Sequence, residues 1–180
     1  MSSRLAALAA TMASAATLAG CAAPSPADYA AQTPRFDLKT YFDGELLAHG
    51  MFTDRSGRVQ RRFVATIGAQ WTGNQGVLDE RFTWSDGKTE RRVWRITDEG
   101  GGRYVGRADD VVGEAIGVAA GPALNWRYTM RLPVDDKVYE VQFDDWMLLI
   151  DERVMLNRAV MSKFGIRLGE ITISFARLKP

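Results

Sequence analysis

The chain of 180 residues contains one cysteine and one histidine. That scarcity excludes a disulfide framework, a zinc ligand set, a Cys-His pair and a Ser-His-Asp triad, each of which needs residues that are missing. A surplus charge is missing too. With 23 Lys plus Arg against 22 Asp plus Glu, no field favours nucleic acid or an anionic membrane surface, and the Arg61-Arg62 and Arg91-Arg92 pairs stand alone. There is no glycine-rich phosphate loop, no cofactor motif, no internal repeat and no long segment of helical period. What is plentiful is apolar matter, 46% hydrophobic and 10% aromatic, enough to build the core of a single domain and to exclude disorder.

Residues 1–20 carry one positive charge, Arg4, then an Ala-rich apolar run from about Leu5, and no acidic residue. This is the pattern of a cleaved secretory signal. A spanning helix would need about 20 strongly apolar residues, and this run is shorter and richer in small side chains. It ends in Leu18-Ala19-Gly20-Cys21, which resembles the bacterial lipobox. In proteins with that motif the thiol receives diacylglycerol, the chain is cut before the Cys, and the new amine is acylated, commonly with palmitate. Cys21 is therefore the expected lipidation site, and two or more acyl chains give firm membrane attachment. The alternative is a secreted protein with a free thiol, a liability in an oxidising compartment. Ala22, in place of Asp, favours the inner leaflet of the outer membrane, facing the periplasm. The expected division is a signal peptide at 1–20, a lipidated N-terminus and linker at 21–35, and one domain at 36–180. Loss of Arg4 brings the mature domain's basic and acidic side chains level.

Ala22 to Pro34 holds three of the six prolines and reads as a flexible tether. Phe36 to Phe42 fits either a short helix or a first strand. From Glu45 onward, short β-rich runs alternate with turn signals at Arg55-Ser56-Gly57, Gly73-Asn74-Gln75-Gly76, Ser85-Asp86-Gly87, Gly100-Gly101-Gly102, Pro133-Val134-Asp135-Asp136 and Asp151-Glu152. That spacing predicts about nine or ten antiparallel strands in an all-β barrel of calycin or lipocalin type, with a β-sandwich as the alternative.

Register can be tested on paper. A hairpin turning at Asp135-Asp136 sets Trp126, Tyr128, Met130 and Leu132 opposite Asp145, Phe143, Val141 and Tyr139, while the other face pairs Arg127 with Asp144 and Arg131 with Glu140. One face is almost wholly apolar and the other is charge-matched, as cross-strand pairing favours. A turn at Asp151-Glu152 then sets Asp145 opposite Arg158 and Phe143 opposite Val160, so that Trp126, Asp145 and Arg158 share one rung. In the last strand Ile171, Ile173 and Phe175 alternate with Thr172 and Ser174. The Asp86-Gly87 hairpin stays open between a register that opposes Arg81 to Arg92 and one that opposes Glu80 to Arg92. In Val111–Gly121 small residues occupy one side, as in a sharply bent strand or one that leaves interior room.

An ion pair on an apolar face must be held by good geometry or be used. Asp145 and Arg158 are accordingly the candidate ligand-binding pair, with Trp126, Tyr128 and Phe143 packing the apolar part of a ligand; the alternative is a buried bridge that only sets register. His49 reads as a strand or surface residue. Asp144 and Asp145 point to opposite faces and cannot converge. No catalytic or metal-binding residue is assigned.

The lipobox, Gly50-Met51-Phe52-Thr53-Asp54-Arg55-Ser56-Gly57, Ser85-Asp86-Gly87 with Arg92-Val93-Trp94, Ala108-Asp109-Asp110-Val111, Asp144-Asp145-Trp146-Met147, Asn157-Arg158 and Lys163-Phe164-Gly165 together resemble the proteobacterial lipoprotein family known as domain of unknown function 3833. The resemblance spans essentially the whole mature chain and implies an envelope lipoprotein without implying an activity. The resulting expectation is a non-enzymatic, lipid-anchored barrel that carries a small apolar or amphipathic ligand. The competing expectation is a structural lipoprotein docking onto an envelope protein complex.

Overall fold

Period-two alternation of apolar and polar residues builds the whole domain. In the computed structural model, which describes residues 23–178, ten strands follow one another: β1 (Gly44–Asp54), β2 (Val59–Thr72), β3 (Gln75–Trp84), β4 (Thr89–Gly100), β5 (Arg103–Arg107), β6 (Ala115–Ala120), β7 (Ala123–Val134), β8 (Lys137–Leu149), β9 (Val154–Lys163) and β10 (Ile166–Arg177). Each pairs antiparallel with its neighbours in sequence, and β1 pairs with β10 to close an up-and-down barrel. The first strand thus joins the last, and of the two expected architectures it is the barrel that forms. Cys21 and the signal sequence lie outside the described residues.

The β7–β8 register is the expected one, with Trp126 opposite Asp145, Tyr128 opposite Phe143 and Arg127 opposite Asp144. The β3–β4 hairpin adopts the register that sets Glu80 against Arg92. Its loop is three residues long, closed by Gly87 N–H donating to the Trp84 carbonyl and Trp84 N–H to the Lys88 carbonyl, each at 2.9 Å. Gly87 has φ +82°, the left-handed residue that such a loop requires.

The β8–β9 expectation is corrected. Asp145 lies opposite Ala159, and Arg158 lies opposite Trp146. The loop contains one residue more than a two-residue turn: Ile150 N–H donates to the Val154 carbonyl at 2.9 Å, and the Asp151 carboxylate accepts from the N–H groups of Arg153 and Val154 at 2.8 and 2.7 Å. A slip of one residue sends every side chain of a strand to the other face. Met155, Asn157 and Ala159 therefore face inward, and Arg158 faces out, where it binds Glu170 at 2.7 Å.

The segment expected to be a flexible tether is also corrected. Ser25-Pro26-Ala27-Asp28 forms a capping box around a single 3-10 turn, with Ser25 N–H donating to Asp28 at 2.8 Å. Tyr29 packs on Trp146 at 6.1 Å between ring centroids, and Phe36 N–H donates to the Gly121 carbonyl at 2.7 Å. The chain is thus seated on the barrel from Ser25 onward. Phe36–Phe42 proves to be a helical plug rather than a strand. Its short helix, α1 (Leu38–Tyr41), is capped by Asp37 and buries Phe36, Leu38, Tyr41 and Phe42 across one end of the barrel. Tyr41 Oη donates to the carbonyls of Arg153 and Phe175 at 3.1 and 3.2 Å, Trp71 Nε1 donates to the Phe42 carbonyl at 2.8 Å, and Lys39 Nζ donates to the Gly73 carbonyl at 2.8 Å.

Candidate functional site: the barrel interior

With one end plugged, the inward side chains enclose a cavity of about 670 Å³. That is ample for a small ligand, since binding pockets span roughly 300–1,000 Å³. Its floor is the plug, through Leu38 and Phe42. Its mouth lies at the other end, beside the β1–β2, β3–β4 and β7–β8 turns, where Arg61, Trp84, Glu90, Pro133 and Val134 line it. Between floor and mouth the wall is mostly aliphatic and aromatic.

Of the residues expected to form the site, the barrel brings four together. Trp126, Tyr128, Phe143 and Asp145 all line the cavity. Tyr128 stacks on Phe143 at 4.9 Å with the rings 6° apart, and Trp94 meets both Tyr128 and Trp126 edge-on at 5.4 and 5.6 Å. Arg158 does not belong here, because its side chain is 61% exposed on the outer surface. The interior room expected beside Val111–Gly121 is occupied as well. Gly117 of β6 and Gly106 of β5 lie flat under the Trp126 indole, which takes the space their side chains would fill. Gly113 falls in the loop before β6 rather than on the inner side, while Val111 bridges to Met130.

Asp145 has partners that the sequence did not single out. Glu80 of β3, Arg92 of β4 and Asp110, in the connection from β5 to β6, reach it from across the interior. Arg92 places Nε and Nη2 each 2.9 Å from Asp110 Oδ2, and Nη1 lies 4.0 Å from Glu80 Oε2. Asp145 Oδ2 sits 3.5 Å from the Tyr128 hydroxyl. Its Oδ1 is buried without a hydrogen-bond partner, and both polar atoms of the inward Asn157 amide share that condition. Burial pushes the Asp145 carboxyl up to about 8, with the nearby Arg92 only partly offsetting it. Glu80 is pushed up to about 7 for the same reason. Burial, reinforced by the Asp145 charge, holds the Tyr128 hydroxyl well above its ordinary value. Near neutral pH this wall therefore carries protons on carboxyls that would be ionised in water.

Chemically the wall offers hydrogen-bond acceptors and acidic groups in a largely apolar chamber. Among the described residues no three His, Cys, Asp or Glu side chains are placed to hold a metal ion. His49 lies on the outer face of β1, and Asp144 binds Arg127 outside at 3.1 Å. The one signal that could have found Glu80 and Arg92 was the Ser-Asp-Gly loop, since a three-residue turn selects the register that pairs them.

A family model described as "Protein of unknown function (DUF3833)" matches residues 15–177. The chain belongs to this family. No curated protein matches it. Among solved structures, this DUF3833 barrel is similar to the S-type phycobiliprotein lyase CPES of Guillardia theta, with a TM-score of 0.59 and 4% identity over 78% of this chain and 90% of that one. It is also similar to a protein of unknown function from the DUF3598 family of Nostoc punctiforme, with a TM-score of 0.57 and 13% identity. That match covers 82% of this chain and about half, 51%, of the other. At these identities the likeness establishes the shared fold.

Proposed function

We propose that this chain is a lipid-anchored envelope protein whose barrel binds and carries a small apolar or amphipathic molecule without transforming it. The observation that carries the reading is the cavity of about 670 Å³, plugged at one end and apolar along most of its wall. At about 30 Å³ per water, such a space would hold roughly 20 waters, and exchanging them for an apolar ligand is favourable. The lipocalin-like barrel shared with a phycobiliprotein lyase supports a ligand-holding form, and the reading borrows neither that protein's ligand nor its activity. Anchoring rests on the lipobox at Cys21. Only Ala22, Ala23 and Pro24 separate Cys21 from the seated Ser25, a reach of about 14 Å, so acylation would hold the barrel close to the bilayer.

The test is native mass spectrometry of Cys21→Ser protein exported to the envelope and purified without detergent, together with displacement of the apolar dye N-phenyl-1-naphthylamine. A small adduct or saturable dye uptake is expected, and Ala159→Phe, which fills the cavity from β9 and is checked for folding by circular dichroism, should abolish both. Absence of adduct and of dye uptake in the folded parent protein would overturn the reading.

Docking onto an envelope complex has an observation of its own. The β7–β8 and β9–β10 hairpins expose apolar side chains at their ends, with Phe164 88%, Val138 64% and Ile166 61% exposed. Photocrosslinking from position 164 in intact envelopes, compared with position 66 on the outer wall, would support that reading if a discrete partner formed only from the tip.

A further inference from the structure

We infer that the polar wall of the cavity selects a hydrogen-bond-donating head group, an amphipathic amine above all, and disfavours an amphipathic acid. The inference rests on the carrier reading and adds the class of ligand to it. It stands on the saturation of Arg92. A ligand carboxylate entering a barrel seeks an inward base, and on this wall Arg92 is already committed: Nε and Nη2 lie on Asp110, Nη1 faces Glu80, and Nη2 is 3.4 Å from Met130 Sδ. Arg61, the other inward base at the mouth, is held by Asp86 at 3.1 Å and lies over the Trp84 ring at 4.0 Å. Beside Asp145 a ligand carboxylate would find only Arg92, already shared between Asp110 and Glu80.

The unpaired atoms point the same way. Around Asp145 and Asn157, the atoms Asp145 Oδ1, Asp110 Oδ1 and Asn157 Oδ1 are buried without partners beside one donor group, Asn157 Nδ2, whereas the other unpartnered donors that line the cavity, Arg61 Nε and Trp84 Nε1, sit at its mouth. Asp145 and Asn157 are 7% and 2% exposed, and both line the cavity. An ammonium presents three donors and no acceptor, the complement of that set. The titratable groups around the subsite are Glu80, Arg92, Asp110, Tyr128 and Asp145, with Asp144 behind it on the outer face. Their balance is negative. The fold relieves that surplus by keeping Asp145, pushed up to about 8, largely protonated at neutral pH. An ammonium relieves it in place of the proton, so amine binding should release the Asp145 proton to solvent, with no covalent change in either partner.

The experiment titrates dodecylamine, dodecanol and dodecanoate, below their critical micelle concentrations, against dye-loaded Cys21→Ser protein at pH 7. Dodecylamine should bind at least about tenfold more tightly than dodecanoate, since a carboxylate would be desolvated without a base of its own while an ammonium takes the place of the Asp145 proton. Calorimetry in buffers of different ionisation enthalpy should show up to one proton released with the amine and none with the alcohol. Asp145→Asn should abolish the release and reduce the amine-over-acid preference, read as the ratio of the two affinities. Should that variant fail to fold, Asp110→Asn, at a side chain 34% exposed, must lower the amine-over-acid preference too. Equal or tighter binding of dodecanoate, or a preference untouched by these variants, would overturn the head-group inference while leaving the carrier reading intact. If all three chains fail to displace the dye, both fall.

Discussion

Gly117→Ala tests the packing that shapes the cavity wall. Neither Gly117 nor Gly106 has a positive φ, so alanine is tolerated by the backbone at both positions and only space is at issue. A Cβ on Gly117 would stand 2.6 Å from Trp126 Cζ3, and one on Gly106 2.7 Å from Trp126 Cη2. Carbon atoms in contact keep about 3.5–4.0 Å. The indole has little freedom to retreat, being 4% exposed and pinned edge-on by Trp94. Relief requires moving the ring toward the cavity and spoiling the Trp94 contact, an overpacking that costs about 1–3 kcal/mol. Urea unfolding of Gly117→Ala should show that loss as a lower midpoint with an unchanged slope. Gly68→Ala is the control, because nothing lies within 4 Å of its Cβ and its φ is ordinary; it should be neutral or stabilising by up to ~1 kcal/mol. Trp126→Phe makes room for the new methyl, so a double-mutant cycle should recover at least about 1 kcal/mol of coupling. A Gly117→Ala protein as stable as Gly68→Ala, or an additive cycle, would refute the slot.

Arg158→Met should cost under about 1 kcal/mol, because an exposed ion pair contributes little and Arg167 still holds Glu170 at 2.8 Å. Arg92→Met should cost about 3–5 kcal/mol at pH 9, where it strands buried carboxylates, and less at pH 6, where Glu80 takes up a proton; chemical denaturation at the two pH values separates the cases. Asp145 and Glu80 are raised from 3.8 to about 8 and from 4.5 to about 7, so between those limits the folded state binds more protons than the unfolded one. Their contribution is complete below about pH 4 and is lost as pH rises through 7 and 8, at no more than ~1.4 kcal/mol per pH unit per group. Asp145→Asn should flatten that decline, and an unchanged slope would count against a buried acid. Metabolic labelling with an alkynyl palmitate analogue should mark the wild-type chain and not Cys21→Ser, and a wild-type chain without label would refute anchoring through Cys21.

Hairpins whose loop length is unambiguous were legible in sequence, and those whose length was not were misread or left open. The β7–β8 turn has two residues, Asp135 with φ +52° followed by Asp136, and its register sorted apolar from charged residues with no competitor. At Asp151-Glu152 a two-residue and a three-residue loop are equally consistent with the residues, and the choice decides the face of all of β9. The three-residue loop turns Asn157 inward and Arg158 outward. A similar blindness affected the N-terminal segment. Its prolines suggested a tether, while the capping pair Ser25 and Asp28 and the aromatic partner of Tyr29 became meaningful only once Trp146 and Gly121 stood beside them.

The acidic wall was harder to see, because it gathers residues from β3, β4, β7, β8 and the connection after β5. Within one hairpin Glu80 and Arg92 form an ordinary cross-strand pair. Asp145 stood out as a charge on an apolar face, opposite Trp126 of β7 and expected to pair with Arg158 of β9. That anomaly was real, but the base that answers it came from the opposite side of the barrel rather than from the next strand. In a closed sheet, alternation settles which residues face inward, while the charge balance of the interior is a sum around the whole circumference. An inward charge left unpaired within its own hairpin therefore marks where to look, and the identity of its partners depends on the closure that brings β4 across from β8.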